Sequence, residues 1–148
     1  MSEYHWIEKN DKLETWDAWY KTVLGGLTPD CAFKAKVMTK VSQIKKGDIL
    51  FHYVNQVGFI GLSEVVSELE LVKNVVSERD NLYPLRIGIK LLVHVTEKLA
   101  VNFRQINVQS ANPGYLNSLI TGAAPIAVTA KGLSDISFVE KELYARKP

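Results

Sequence analysis

The sequence predicts an α+β fold, a curved mixed sheet or small barrel flanked by helices. Three observations carry that expectation. Strand-like segments dominate the middle of the chain, helical patterns lie near both ends, and the connections between strands are long and irregular rather than a regular strand–helix alternation. The 148 residues suit a single domain, 1–148, with a core of its own. A hydrophobic fraction of 47% against 23% charged residues decides for a globular composition over a disordered or fibrous one.

Taken in order, "YHWIE" reads as the first strand. Asn10 or Asp11 then caps a helix that Gly25 and Gly26 stop. Leu13, Trp16, Tyr20, Val23 and Leu24 recur at helical spacing and form its buried stripe, with Trp19 at the stripe's edge. A loop containing "TPD" and a lysine-rich stretch lead into "GDILFHYVNQVGFIGLSEVVSE" at 47–68, two strands closed by a short polar turn. Within it Ile49, Phe51 and Tyr53 point to one face, and Leu50, His52 and Val54 to the other. Gly58 and Gly61 stand where a bulge or a close backbone approach is expected. "YPLRIGIKLLVHVTE" is a long strand with Pro84 near its start, where a missing N–H matters least. "VNFRQINVQ" reads as a further strand or a strand plus a turn. "NPGYLNSLI" reads as a short helix with Asn112 as cap, Pro113 at its first position and Gly122 beyond its end. Ser134 or Asp135 caps a last helix through "ISFVEKELYA", whose Ile136, Val139, Leu143 and Tyr144 face inward.

The net charge of +2 is small but unevenly spread. Between positions 31 and 47 stand Lys34, Lys36, Lys40, Lys45 and Lys46 and no acid. Between 64 and 80, Glu64, Glu68, Glu70, Glu78 and Asp80 face only Lys73 and Arg79. Such polarity permits a one-sided basic patch for phosphates, although charge alone favours a solvated surface loop.

Chemistry is hard to find. His5, His52 and His94 are far apart on predicted strands, where a histidine is a hydrogen-bonded structural residue more often than a base or ligand. The lone Cys31 excludes a disulfide framework and cannot by itself make a cysteine-based zinc site. Glu68 and Glu70 fall at a strand end and read as solvated. "GLSEV" is not a nucleophile elbow, and its strand–turn–helix context is missing too. A non-enzymatic protein without catalytic residue, metal or cofactor is the expectation. The polar start "MSEYHWIEKN" is unlike a signal peptide, and the apolar run around "LLVHV" is too short to span a bilayer. A cytoplasmic location and no membrane partner follow as expectations.

The motifs do resemble a known family. "IKKGDILFHYVNQVGFIGLSEVVSE" is similar to the core of EVE domains, which runs from a basic-Gly-Asp entry through an aromatic strand to "GxxEV" and "SE". "YPLRIGIK" resembles the family's next strand, "HWIEKND" its Trp-containing first strand and polar turn, and "LSDISFVEKELY" its last helix. EVE domains belong to the PUA-like superfamily and are close in fold to YTH domains. The resemblance implies a small mixed barrel whose pocket takes a single, often modified, nucleobase from DNA or RNA.

Such a pocket needs aromatic faces to stack on, polar groups for the base edge and cations for the backbone. Trp19, Phe33, Tyr53 and Tyr83 are the aromatics outside the clearest core positions, and Asn10, Asn55 and Arg86 are candidate edge readers. Position by position, Lys9 and Asn10 match the turn bordering the family pocket, Tyr53 and Asn55 the pocket-side end of the hairpin strand, and Tyr83 and Arg86 the start of the following strand. After the first helix, where relatives carry a Trp as one cage wall, this chain reads "TPDCAFKAK" with Phe33 its only aromatic. Lys34, Lys36, Lys40, Lys45 and Lys46 are the candidate phosphate contacts. The leading expectation is a domain that holds an extruded, modified base in DNA or RNA. McrB-type restriction proteins carry N-terminal domains of similar fold, so the chain also suits a module of a larger protein. Plain RNA binding without modification sensitivity, and a small-ligand or enzymatic use of the same cavity, are the alternatives.

Overall fold

The computed structural model describes residues 5–10, 12, 13, 16, 24–27, 43–68, 70, 71, 85–121 and 126–147, and for 24–27, 70, 71 and 85–87 the backbone alone. Seven strands are described: β1 (His5–Asn10), β2 (Leu24–Leu27), β3 (Ile49–Val54), β4 (Gly58–Val65), β5 (Glu70–Leu71), β6 (Leu85–His94) and β7 (Ile126–Ala127). Three α-helices lie among the later residues, α1 (Phe103–Gln109), α2 (Tyr115–Ile120) and α3 (Leu133–Arg146). Single 3-10 turns stand at Glu97–Leu99 and Ala130–Gly132.

The strands form one sheet in the order β2-β6-β4-β3-β1-β7, with β5 also on β6. β1 runs parallel to β3, while the β3–β4 and β4–β6 pairs are antiparallel. The fold is therefore α+β with a mixed sheet. Both faces of the hairpin are covered: five of the six residues of β3 and seven of the eight of β4 are buried. That explains why its strands read as near-continuous apolar runs instead of clean alternation. The pairing register slips between His52 and Tyr53 and again between Leu62 and Ser63, the irregularities that bend a sheet.

The hairpin glycines stand where backbone approaches backbone. At Gly58 (φ +127) an added Cβ would lie 2.6 Å from the Val101 carbonyl oxygen. At Gly61 it would meet the Trp16 ring and the Val93 carbonyl oxygen, each at 2.9 Å. Trp6, Ile7, Phe51, Phe59, Ile60 and Leu62 form the centre of the core, and Ile136, Val139 and Leu143 of α3 close it from the helical side.

Four local readings differ from the structure. Leu24, Gly25 and Gly26 do not end a helix but belong to β2, paired antiparallel with Gly88, Ile87 and Arg86 of β6. Sheet pairing overrides the helix-stop reading of a glycine pair. "VNFRQINVQ" is not a strand: Val101 makes one bridge to Phe59, then Asn102 caps α1. The Asn102 side chain accepts from the Gln105 N–H at 3.0 Å while the Gln105 side chain accepts from the Asn102 N–H at 3.2 Å, a reciprocal capping box that offsets the weak propensity of a seven-residue helix. α2 begins later than expected, at Tyr115 behind Gly114 (φ +84), so Asn112 and Pro113 lie in the turn before it. α3 begins at Leu133, ahead of Ser134 and Asp135, and Tyr144 is exposed with the Lys147 ammonium 5.6 Å from its ring centroid.

Of the helix read after β1, Leu13 and Trp16 are described, both helical, and Trp16 is buried. Among the described residues no helix is long and apolar enough to cross a membrane.

Candidate nucleic-acid interface

β1 and β3 lie side by side in register, Lys9 against Tyr53 and Asn10 against Val54. The C-terminal end of β1 therefore meets the β3–β4 turn, where the Asn55 N–H donates to the Asn10 carbonyl at 2.9 Å. Lys9 reaches across to α2, its ammonium donating to the Ile120 carbonyl oxygen at 2.8 Å. A cation on the last carbonyls of a helix also complements the helix dipole. Lys9, Asn10, Asn55 and the Tyr53 backbone are thus gathered at one end of the sheet.

The Tyr53 side chain is placed differently from its backbone. Its ring packs against Phe59 and Phe103, with centroids 5.2 Å away in each case, and the residue is 8% exposed. Burial raises the phenol's pKa above the ordinary value of 10.0. Arg86 lies on β6, opposite Gly26 on one side and Glu70 on the other. Trp19, Phe33, Tyr83, Lys34, Lys36 and Lys40 lie outside the described residues.

Lys45 and Lys46 are exposed on the turn that enters β3. That turn is held by Asp48, whose buried carboxylate accepts from the Trp6 indole N–H at 3.0 Å and from the Lys45 backbone N–H at 2.9 Å. The Gly47 N–H donates to the Val65 carbonyl at 2.8 Å, and Gly47 itself takes φ +95, where glycine is at ease. The two lysines and Asn55 sit at opposite ends of β3, roughly 20 Å apart at about 3.3 Å per residue. One nucleotide bound at either end would not reach the other.

The motifs left one feature unread, a buried polar row across three strands. Glu8 pairs in register with His52, and its Oε1 lies 3.3 Å from His52 Nδ1 and 2.6 Å from Asn10 Nδ2. His52 Nε2 lies 2.8 Å from Ser63 Oγ, and the Trp16 ring covers the imidazole at 4.7 Å between centroids. Glu8 is 5%, Asn10 2%, and His52 and Ser63 0% exposed. A carboxylate only accepts, so the ring N–H sits at Nδ1 and Nε2 shares the Ser63 hydroxyl. His52 is thus hydrogen-bonded at both nitrogens, the structural role expected of a strand histidine. The available signal was one acid, Glu8, directly after the apolar pair Trp6 and Ile7 in β1. Among the described residues no three His, Cys, Asp or Glu side chains gather as a metal site requires.

No family model matches the chain, and no curated protein matches it. Solved structures do. The YTH domain of Mmi1 in complex with RNA superposes with a TM-score of 0.66 at 12% identity, covering 97% of this chain and 85% of that one. The fold is YTH-like. The YTH domain of Zygosaccharomyces rouxii MRB1, in complex with N6-methyladenosine RNA, gives 0.62 at 17% identity over 98% of this chain and 90% of that one. Rpa0253 from Rhodopseudomonas palustris gives 0.59 at 13% identity over 98% and 96%. The YTH-like fold thus takes in nearly the whole chain, and at these identities the likeness is one of architecture.

Proposed function

We propose that this chain is a non-enzymatic RNA-binding module that reads one modified base, with N6-methyladenine the first candidate. The observation that carries the reading is the YTH-like fold over 97–98% of the chain, with neighbours solved with RNA and with N6-methyladenosine RNA. The base would be held by aromatic faces, with Trp19, Phe33 and Tyr83 the candidates. Its edge would be read near Lys9, Asn10 and Asn55, while Lys34, Lys36, Lys40, Lys45 and Lys46 would follow the phosphates. Arg86 would join the phosphate contacts rather than the edge readers, since Val65 pairs with Ile89 and the Val66 N–H donates to the Gly88 carbonyl, which puts Arg86 at the lysine-turn end of the sheet. Tyr53 would support the site through its backbone, since its ring lies in the core. The EVE and PUA-like motifs supply the finer assignment, and an McrB-type module that meets methylated DNA is its DNA-binding form.

The test is equilibrium binding of short single-stranded RNAs that carry one N6-methyladenosine or one adenosine, with the matching DNAs, across a salt series. Tighter binding of the methylated RNA supports the reading. Equal binding of both RNAs reduces it to plain RNA recognition, and preference for methylated DNA moves it to the restriction-type function.

A second reading is favoured by the Ser63–His52–Glu8 row, which has the order of nucleophile, base and orienting acid. Against it, Ser63 and His52 are wholly buried in strand interiors, where no substrate carbonyl reaches the hydroxyl. A fluorophosphonate probe that labels the parent and spares Ser63→Ala would establish that enzymatic reading.

A further inference from the structure

Asn10 carries the one buried side-chain nitrogen or oxygen without a hydrogen-bond partner among the described residues, its Oδ1. The other half of the same amide is fully used. Nδ2 donates to Glu8 Oε1 at 2.6 Å and lies 3.4 Å from the Tyr53 carbonyl oxygen. Turning the amide over would press its oxygen against a carboxylate oxygen and a carbonyl, acceptor against acceptor. The orientation is therefore imposed from behind. Glu8 is itself held by His52, and His52 by Ser63 and the Trp16 ring.

Buried acceptors are rarely left without a donor, because the lost contact with water is not returned. This one stands at the end of β1, beside the Asn55 turn, where the base edge is placed in the proposed function. We infer that the Ser63–His52–Glu8 row locks the Asn10 amide so that Oδ1 meets the bound base as an acceptor, and that the site takes a base whose inserted edge offers an N–H. The inference rests on the base-reading function proposed above and adds to it the polarity of the edge. Adenine satisfies it through its exocyclic amine, and a single methyl on that amine leaves one N–H for Asn10. A second methyl, or loss of the amine, leaves the oxygen facing nothing or facing carbon. Asn10 is the specificity-determining residue, and Glu8 is a positioning residue that acts through it.

Two pairs of otherwise identical short RNAs test this, adenosine against purine riboside, and N6-methyladenosine against N6,N6-dimethyladenosine. Each pair removes the last N–H, the first without adding bulk. In the parent protein the member lacking the N–H should bind at least about tenfold more weakly, as expected where a buried polar group loses its partner. In Asn10→Ala the adenosine-to-purine ratio should collapse to within about threefold, the signature of two groups that interact directly. Glu8→Gln keeps the volume but lets the amide turn, so it should lower the same ratio while the fold persists by thermal melting. It also serves if Asn10→Ala does not fold.

A parent that binds both members of each pair equally overturns the inference and leaves RNA binding standing. So does an Asn10→Ala or Glu8→Gln protein that discriminates as the parent does, since Oδ1 then serves a structural water or another group. A parent that binds none of the four RNAs overturns the base-reading function, and this inference falls with it.

Discussion

Gly58 and Gly47 both hold positive φ, yet a methyl group at each would meet different surroundings. At Gly47 (φ +95) nothing lies within 4 Å of the added Cβ, whereas at Gly58 (φ +127) the Val101 carbonyl oxygen lies 2.6 Å away. Gly47→Ala should therefore cost only the backbone penalty, about 1–2 kcal/mol. Gly58→Ala should cost more, about 3 kcal/mol or above, because backbone must also shift. Urea unfolding of both variants checks this, and equal losses would show that the Val101 backbone yields freely. Tyr53 is a second residue with a measurable signature. Its raised pKa means that the unfolded chain loses the phenolic proton first as pH climbs past 10.0. The stabilisation is whole below that pH and is lost as pH rises toward the folded value. Tyr53→Phe keeps the ring against Phe59 and Phe103 but has no proton to lose, so its stability should fall less steeply above about pH 10 than the parent's. Parallel curves would mean the hydroxyl is not buried in solution. The two residues also show what a sequence reveals at this scale. Gly58 was legible because a glycine just after a polar turn marks a close approach. Glu8 was not, because only the parallel register of β1 on β3 brings it to His52.

Among the elements, the hairpin was readable and α1 was not, for opposite reasons. β3 and β4 are buried on both faces, so their apolar runs and bounding glycines survive any tertiary rearrangement. α1 buries only Ile106 and exposes Val108, and the apolar residues of its segment, Val101 before it and Phe103, Ile106 and Val108 within it, fit a strand about as well as a helix. The deciding signal was the Asn102 to Gln105 spacing, a cap that periodicity does not detect. Gln105 has two duties: its Oε1 accepts from the Asn102 N–H and, at 3.1 Å, from Arg146 Nη1. Arg146 also donates to the Leu99 and Ala100 carbonyls at 3.1 Å, tying the end of α3 to the turn before α1. Asn102→Ala should then cost about 0.5–2 kcal/mol, the usual loss of an N-cap. Gln105→Ala should cost at least as much, and the Asn102→Ala/Gln105→Ala double variant less than the sum, since the singles break one reciprocal contact. Strict additivity by denaturant unfolding would dissolve the capping box as a unit.

At the scale of the whole molecule, the proposed function divides along the strands of the YTH-like sheet. Asn10 and Asn55 meet at one end, and Lys45 and Lys46 are displayed at the other on a turn fixed by Asp48. A strand of six residues spans roughly 20 Å, so one nucleotide cannot touch both ends. Phosphate contacts carry no base information, whereas a group at the base edge carries little else. Replacing Lys45 and Lys46 together with alanine should therefore weaken methylated and plain RNA by the same factor. Each lost phosphate contact on a single strand should flatten the plot of log affinity against log salt by about 0.7, so the pair should flatten it by up to about 1.4. Both lysines are exposed, and the fold should tolerate their loss with little change in melting temperature. An unchanged salt slope would move the phosphate track to the other end of the lysine block. A loss confined to methylated RNA would mean that this turn approaches the read base, and the separation of duties along β3 would be wrong.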